Sequence, residues 1–549
     1  MAAALVPLPR RRRPAARLLA AAVALFAAAG VLLTAAVLNA GQAALNATAA
    51  PQGACSQLLG LLGVKKVALM FLTTRRLAHE KLWRLWLWDA ANLLPLQALP
   101  ALQDGLCGSD ATAADAFWQR LRGDCSVVPP LVDTAGQGPT ELPPQHLFTV
   151  YAHAPPDYQG LEYQPLLAGR VIPTRFKTWW GDISILDAEK ALLREALKDP
   201  LNEKFALISD SDVPLYDPLT FYQQLMHEPR SRVRACANGW MNRDRWRDEM
   251  STETMNGSHW RKSNQFFGLT RRHAEIVLND QEAERSFREH CGGWYAHLNQ
   301  WKECIADEHY VPTLLASLGL EDETYCRGWG LAYTDWSDNW IHPKSFKPRD
   351  VTPELLKKMR WNCENMTSAV EDSRHMFLPL EPLLAASSAQ QACQALQAPM
   401  PPAGARSNGS DNGGSDSLLP LGSRRYAHPL DGACPLTARK LPAFTALRVR
   451  QLAVASCPNG AADFVESRAA LVFKTERDPS VVLLRGTACT PDVLRQVLAP
   501  PLSAGTGTGL AAAAGAAGRR LLCTANRYSG GAAAQWLPEG LDWGELCDL

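Results

Sequence analysis

The stretch of sequence from Leu147 to Ser209 alternates between two kinds of local pattern. LFTVYAHAPP is an apolar run ended by prolines, and a second apolar run, Phe205 to Ser209, leads directly into Asp210-Ser211-Asp212. Between the two runs lies an amphipathic helix pattern, with Asp182 as a candidate N-cap and Pro200 as its stop. Strand, helix and strand in this order predict a crossover connection, and therefore an α/β fold with a parallel sheet.

Another strand is predicted upstream, where polar residues bound the apolar run Val67–Leu72. A helix rich in Trp and Leu is expected to follow, from Ala78 to about Leu94. Ligands of open α/β sheets bind beyond the carboxyl ends of the strands. The candidate binding positions are therefore Thr73–Arg76, His153 and Asp210–Asp212.

The N-terminus carries an uncharged run of 21 residues, Leu18 to Leu38, preceded by Arg10–Arg13 and Arg17. As a helix this run is about 30 Å long, which matches the hydrocarbon core of a bilayer. A cleaved signal or targeting peptide is the alternative, but the length favours an uncleaved signal-anchor. The basic flank then places residues 1–17 in the cytoplasm and the rest of the chain in the lumen, as in a single-pass type II membrane protein.

The remaining sequence divides by composition. Residues 39–63 indicate a short stem, and 64–384 a main domain with an insertion or long surface loop at 95–145, rich in Pro, Gly, Asp and Ala. Residues 385–425 have the composition of a low-complexity linker. Residues 426–549 contain cysteines and are expected to form a separate C-terminal appendage whose function cannot be read.

Composition narrows the function classes. Apolar residues make up 47% of the chain, which excludes global disorder, and 56 basic residues nearly balance 55 acidic ones, so no electrostatic field favours nucleic acid. The 14 cysteines form no CxxC pair, which argues against structural zinc and thioredoxin-like chemistry. Scattered cysteines are compatible with disulfides in an oxidising lumen, and the glycosylation sequons weakly favour secretion. The sequons are at Asn46, Asn256, Asn365 and Asn408.

The cysteines also allow a prediction of pairing. Eight lie within residues 55–363 and six within 393–547, so each group is expected to pair internally. Cys291 and Cys304 flank a short loop before Glu308. We predict that they form a disulfide, which in the chain-entropy account stabilises by about 3 kcal/mol.

Two acidic motifs are candidates for chemistry. Asp210 and Asp212 after a strand could grip a divalent cation that bridges a diphosphate, although Asp at such positions also commonly caps a turn. Asp307 and Glu308, in ADEHY, could supply a general base, or Asp307 could simply cap a helix.

Basic and aromatic residues complete the set of candidates. A departing diphosphate without a metal needs cations, and the basic residues near HPKSFKPRD either supply them or form a solvated loop. Tryptophans crowd the middle of the chain and suit sugar stacking or core packing equally well. The basic residues are Arg327, Lys344, Lys347 and Arg349, and the tryptophans are Trp179, Trp180, Trp240, Trp246, Trp260, Trp329, Trp336 and Trp340.

Seven stretches stand in a fixed order over about residues 64–360: VALMFLTT, LFTVYAHAPP, WGDISILDAEKALLREAL, NEKFALISDSDVPLYDP, WRKSNQFFGLTRRHAEIVL, CIADEHYVPTLL and YTDWSDNWIHPKSF. In this order they resemble the core-2/I-branching β-1,6-N-acetylglucosaminyltransferase-like family, particularly its plant-type members. The resemblance does not extend to residues 385–549. It implies a GT-A-type, Rossmann-like glycosyltransferase fold and an inverting transfer from a UDP-sugar to a glycan hydroxyl.

The resemblance also implies roles for single residues. Glu308 looks like the family's catalytic base, and Arg327 like one diphosphate-binding cation. The second cation falls at Lys347 or Arg349, between which the spacing does not decide. Asp210 and Asp212 are expected to approach the polar groups of the nucleotide sugar, and Trp260, Arg261 and Lys262 to lie on the acceptor side.

The family likeness implies a Golgi membrane enzyme that needs no metal, with a UDP-sugar donor, most simply UDP-GlcNAc, and a glycan or glycoprotein acceptor. Asp210 and Asp212 keep manganese open as a minority alternative. UDP-xylose and UDP-glucuronate are alternative donors. A glycan-binding pseudoenzyme of the same fold is the alternative from another functional class.

Overall fold

The structure is a computed structural model, and it describes residues 54–125, 144–161, 164–237, 243–295, 300–302, 304–326, 330–338, 342–360, 376–398 and 434–455. The predicted signal-anchor at 18–38 and most of the predicted stem lie outside these residues. Within them, no helix combines the length and the apolar character needed to cross a bilayer.

A four-stranded sheet forms the centre of the fold. Its strands are β1 (Lys66–Leu72), β3 (Phe148–His153), β4 (Asn202–Ser209) and β6 (Gly268–Thr270), in the order β3-β1-β4-β6. The first three run parallel and β6 runs antiparallel to β4. Leu72 pairs with both His153 and Ser209, so the carboxyl ends of the three parallel strands meet at one edge. The α/β fold with a parallel sheet is confirmed.

Helices cover both faces of this sheet. Val67, Leu69 and Phe71 belong to the core on one face, whereas Ala68 and Met70 belong to the core on the other. This alternation follows from the two-residue period of a strand, and it explains why β1 reads as one continuous apolar run. The predicted strands and the helix between them are present, because their periodicity and end signals are local.

The other elements are numbered here in chain order. The helices are α1 (Ala54–Leu61), α2 (Glu80–Asp89), α3 (Leu99–Cys107), α4 (Ala111–Cys125), α5 (Ser184–Ala196), α6 (Pro218–His227), α7 (Arg271–Asn279), α8 (Glu282–His290), α9 (Ala306–Ser317), α10 (Pro353–Arg360), α11 (Glu381–Ala385), α12 (Ala389–Gln397) and α13 (Ala446–Ala455). The short strands are β2 (Leu93–Pro95), β5 (Val213–Pro214), β7 (Gly293–Tyr295), β8 (Gln300–Lys302), β9 (Ala332–Thr334), β10 (Phe377–Pro379) and β11 (Thr437–Arg439).

Residues 434–455 are part of the main fold, so the expected separate appendage is wrong for this segment. Strand β11 lies between β5 and β9, parallel to β9 and antiparallel to β5. Leu436, Val449 and Leu452 are buried in the same core as α2 and β1. A three-residue strand carries too little periodicity to recognise, and its partners come from a hundred or more residues upstream.

Residues 95–145 were expected to form an insertion or a long surface loop, and the loop alternative is wrong for residues 99–125, which form α3 and α4. The residues that suggested a loop instead start helices: Pro100 lies in the first turn of α3, and Asp110 Oδ1 accepts the N–H groups of Thr112 and Ala113 before α4. Residues 126–143 lie outside the described residues.

The expected low-complexity linker at 385–425 is also wrong at its start. Ser388 caps α12, whose Ala389 and Ala392 are buried in a third core together with α1, α3 and α4. The Ala- and Gln-rich composition that suggested low complexity also suits a helix.

Disulfides fix this helical cluster and the region around α9. Cys55 pairs with Cys125, Cys107 with Cys393, and Cys236 with Cys326. The bond between Cys107 and Cys393 joins the two groups of cysteines that were expected to pair separately, because α12 folds back onto α3. The predicted pair of Cys291 and Cys304 is confirmed.

Candidate active site

The carboxyl edge of the sheet brings together residues from three strand ends. Thr73 Oγ1 donates to the carbonyl of His153, and Thr74 donates through both its N–H and its Oγ1 to Asp210 Oδ2, at 3.3 and 2.9 Å. The convergence predicted from the strand ends is therefore present. Asp210 is half-buried and lies at this edge.

Asp212 has a different environment from Asp210. Its side chain is fully buried and accepts hydrogen bonds from Ser209 Oγ at 2.5 Å, from the Ser209 N–H and from Thr437 Oγ1. Burial raises the pKa of Asp212 to about 6, and nearby Arg439 opposes this rise. The expectation that Asp212 approaches a nucleotide sugar or a metal is wrong, because its oxygens hold β11 against the end of β4.

Arg439 and Lys440, at the end of β11, are two cations that sequence analysis did not single out. Both are half-buried, and the backbone beyond them is held by the Leu441 N–H, which donates to the Ser211 carbonyl. Arg439 interacts electrostatically with Asp210, Asp212, Asp307 and Glu308, and its guanidinium lies 4.1 Å from the centroid of the Phe266 ring. Lys440 interacts with Asp210 and with Arg439. Their sequence signal is an adjacent Arg-Lys pair at the end of a short strand.

The second acidic motif lies at the start of α9. The backbone of Ile305, just before the helix, is left-handed at φ 58°, which is strained for a β-branched residue and costs on the order of 1–3 kcal/mol. Neighbouring contacts hold it there: Cys304 is disulfide-bonded, the Ala306 N–H donates to the Gly181 carbonyl, and the Ser263 N–H donates to the Glu308 carbonyl.

The Glu308 carboxylate is the accessible acid of this motif. A quarter of its side chain is exposed, with Lys262 Nζ at 3.0 Å and Arg245 Nη1 at 3.8 Å from Oε2. A carboxylate with one side open to solvent is a candidate to accept a proton from a bound hydroxyl.

Asp307 does not cap the helix, contrary to expectation. Ile305 is the N-cap residue and no side chain bonds there, whereas Asp307 is buried with Oδ1 lacking a hydrogen-bond partner among the described residues. Burial, and then the charge of Glu308, raise the pKa of Asp307 to about 7. Glu189 of α5 is also buried, and burial together with Asp307 raises its pKa well above the usual range.

His309 and Trp260 belong to the core beneath the site. His309 Nδ1 contacts the Arg261 carbonyl at 2.6 Å, and burial lowers the pKa of His309 to about 3, so its ring is neutral. Trp260 is fully buried and stacks on His309 with ring centroids 4.2 Å apart. The expectation that Trp260 faces the acceptor is wrong, because no face of its indole is open to a sugar.

The two residues after Trp260 differ: Arg261 packs within the fold, whereas Lys262 lies in the site. The Arg261 guanidinium contacts the Ala235 and Ser258 carbonyls and the Glu321 carboxylate. Arg261 therefore ties the segment before Lys262 to the fold. Lys262 itself reaches Glu308, and its place on the acceptor side stays a prediction.

The roles expected of the basic residues at the diphosphate stay predictions. Arg327 lies outside the described residues. Lys347 and Arg349 lie on an exposed turn, where Arg349 Nε is 3.9 Å from its neighbour Asp350. The cations that face the four acids of the site in the described structure are instead Arg439, Lys440, Arg245 and Lys262.

The remaining predicted positions concern metals and glycosylation. Across the part of the chain that the structure describes, no three His, Cys, Asp or Glu side chains are grouped so that they could hold a metal ion. Asn256 is exposed, and its Oδ1 accepts from Ser258. Asn46, Asn365 and Asn408 lie outside the described residues.

Comparison with known proteins shows what part of the chain is similar to. The family model of the core-2/I-branching enzyme matches residues 140–360, which include Asp210, Lys262 and Glu308 but not Arg439 and Lys440. A curated relative, glycosyltransferase BC10 of Oryza sativa subsp. japonica, is 34% identical over 240 residues, which cover 39% of this chain and 58% of the relative. The match thus spans somewhat more than half the length of that relative.

Proposed function

Since residues 140–360 of this chain match the family model of the core-2/I-branching enzyme, we propose that the protein is an inverting glycosyltransferase that moves a sugar from a UDP-sugar to a hydroxyl of a glycan. One observation carries the proposal. The half-exposed carboxylate of Glu308 lies within the electrostatic reach of Arg439, which also interacts with Asp210 at the carboxyl edge of the sheet. A base and a group of cations thus share one site.

The donor binds at the sheet edge. Thr74 and Asp210 are placed to contact polar groups of the nucleotide sugar, in line with the binding position of open α/β sheets. Arg439 and Lys440 meet the charge of the departing diphosphate, as fixed cations do in phosphate sites. Arg327 acts with them as the cation implied by the family likeness, whereas exposed Lys347 and Arg349 take no part.

Glu308 takes the proton from the acceptor hydroxyl while that oxygen attacks the anomeric carbon. The bond to UDP breaks on the opposite face of the sugar, so the configuration inverts. Lys262 and Arg245 lie beside the Glu308 carboxylate and contact the acceptor. His309, held neutral beneath the site, orients the backbone around the base and does not accept the proton.

The donor is UDP-GlcNAc and no metal is required, on the strength of the family likeness and of the cations at the sheet edge. The chain is anchored in the Golgi membrane by residues 18–38, with the catalytic domain in the lumen. The length of that apolar run, its basic flank and the disulfides of the fold support this topology.

A panel of UDP-sugars tests the proposed function without knowledge of the acceptor. UDP-GlcNAc is expected to raise the melting temperature of the purified protein more than UDP-xylose or UDP-glucuronate, in the presence of EDTA as well as in its absence. Slow hydrolysis of the stabilising donor distinguishes an enzyme from a pseudoenzyme. If no UDP-sugar stabilises the protein, or if binding requires manganese, the proposed donor site is wrong.

A further inference from the structure

Three tryptophans of the described residues expose much of their side chains to solvent. Trp179 is 62% exposed, Trp180 is 61% exposed and Trp336 is 41% exposed, whereas Trp83, Trp86 and Trp260 are fully buried. Exposed apolar side chains that are grouped together mark binding surfaces more often than isolated ones do. We call these three residues the tryptophan rim.

The backbone that carries Trp179 and Trp180 is fixed. The Trp179 N–H donates to Ser184 Oγ, and the Asp182 N–H donates to the Trp179 carbonyl. Gly181 has φ 69°, and a Cβ at this position would lie 2.6 Å from Ile305 Cδ1, so only glycine fits the turn. Exposed indoles on a fixed turn lose little conformational freedom when they bind a ligand.

The same turn is tied to the start of α9. The Gly181 carbonyl accepts the N–H of Ala306, two residues before Glu308. From the spacing of Cα atoms along a chain and a helix, the Cα atoms of Trp180 and Glu308 are within roughly 15 Å of each other. The turn that carries Trp179 and Trp180 therefore lies next to the start of α9, which carries Glu308.

A second loop brings the third tryptophan to the same region. The Trp180 ring meets the His342 ring edge-to-face, with centroids 5.5 Å apart. The Lys344 N–H donates to the Asp335 carbonyl at 2.7 Å, which joins the segment of His342 to that of Trp336. The Trp336 indole donates through Nε1 to Thr334 Oγ1, so its ring is also oriented.

We propose that the tryptophan rim is a subsite for pyranose rings of a glycan acceptor that extends several residues beyond the sugar that receives the transfer. The apolar faces of pyranose rings suit indole faces. Lys177 Nζ lies over one face of the Trp179 ring, 5.1 Å from its centroid, which leaves the other face for a pyranose ring and supplies a donor for its hydroxyls. This inference rests on the proposed function, because it assigns the rim to the acceptor of the same site.

Acceptor length tests the inference. Binding of β-linked gluco-, xylo- and galacto-oligosaccharides of two and of six residues is measured by calorimetry with the full chain and saturating UDP. At least one six-residue chain is expected to bind about tenfold more tightly than its two-residue form. The double variant Trp179→Ala/Trp180→Ala should abolish this gain, and Trp336→Ala should reduce it.

Two further variants separate a subsite from a structural role. Trp180→Phe keeps an aromatic face, so it should still bind the six-residue chain more tightly than the two-residue form, with most of the wild-type difference. Leu318→Ala removes an apolar side chain that is 45% exposed at the other end of α9, and should leave the gain unchanged. Melting temperatures and the shift produced by the UDP-sugar should stay the same in every rim variant.

The inference is overturned if no six-residue chain binds more tightly than its two-residue form, or if the double variant keeps the gain. A wild type that prefers long glycans but gains no stability from any UDP-sugar would support the rim and contradict the proposed transferase. Loss of the UDP-sugar shift in the rim variants would assign the tryptophans to the donor instead, and would also overturn the inference.

Discussion

Two pairs of acids lie in the site, and each contains one buried and one half-exposed carboxyl. At the end of β4, buried Asp212 accepts hydrogen bonds from Ser209 and Thr437. At the start of α9, buried Asp307 has an oxygen without a partner among the described residues. The pKa of both buried acids is raised by burial, to about 6 for Asp212 and to about 7 for Asp307.

The less buried acids of the two pairs, Asp210 and Glu308, also have different surroundings. Asp210 accepts from the N–H and hydroxyl of Thr74 at the strand end and interacts electrostatically with Arg439 and Lys440. Glu308 faces the ammonium of Lys262 and the guanidinium of Arg245. In the proposed mechanism the pair on β4 therefore organises the site and fastens β11, whereas the pair on α9 handles the proton. Four predictions test this division.

Glu308→Gln should give the largest effect. The amide keeps the size of the side chain but cannot accept the proton, so transfer should fall by about 10³-fold or more while UDP-sugar binding stays within about twofold. Turnover and donor affinity are measured on the same preparations. Asp210→Asn is the matched control and should mainly weaken donor binding. Near wild-type transfer by Glu308→Gln would show that Glu308 is not the base.

Arg439→Ala and Lys440→Ala should each lower turnover by about 10²-fold if they stabilise the departing diphosphate. Lys347→Ala and Arg349→Ala are matched controls, because these side chains are exposed on a turn, and their turnover should be unchanged. The assay is transfer, or hydrolysis of the donor, in EDTA. If turnover instead falls in Lys347→Ala and Arg349→Ala and is unchanged in Arg439→Ala and Lys440→Ala, then Lys347 and Arg349 bind the diphosphate and β11 has only a structural role.

Asp212→Ala should lower the free energy of unfolding by about 2–3 kcal/mol, because it leaves buried donors of Ser209 and Thr437 without an acceptor. Asp210→Ala removes a half-exposed carboxylate at the same strand end, so it should cost no more than about 1 kcal/mol. Urea unfolding at pH 7.5 measures both variants. Equal costs would mean that Asp212 does not fasten β11.

Asp307→Asn should change how stability depends on pH. The pKa of Asp307 in the folded protein is raised from 3.8 to about 7, so the folded state binds more protons than the unfolded state within that window. Stability therefore falls as pH rises through it. The Asn variant should lose this slope and be more stable than wild type at pH 7.5.

Urea unfolding at pH 5 and pH 7.5 measures the slope. Asp322→Asn, at an exposed position, serves as control and should retain the wild-type dependence. A destabilised Asn variant would instead restore the capping role that sequence analysis gave to Asp307.

The central sheet was predictable because its signals are local. The apolar run of β1, the apolar run before Asp210, and the helix that starts beside Asp182 all express their structure within a few residues. The position of the candidate site followed from the same pattern, since parallel strands place their carboxyl ends at one edge.

The rest of the site depends on contacts between distant segments. Thr437 reaches Asp212 across 225 positions of sequence, and no local pattern marks a strand as short as β11. The burial of Trp260 was equally hidden, because the rings on either face of its indole come from α8 and α9. Predictions from composition were therefore wrong for segments whose structure depends on contacts with distant parts of the chain.

The most direct test of the account is a structure of the Glu308→Gln variant with UDP-sugar and an oligosaccharide acceptor bound, since a variant that cannot take the proton preserves the reactive complex. We predict that the side chain at position 308 lies about 2.6–3.2 Å from the acceptor hydroxyl that faces the anomeric carbon, with the diphosphate against Arg439 and Lys440. An acceptor hydroxyl that instead lies against Asp210 or Asp307, beyond the reach of position 308, would contradict the account.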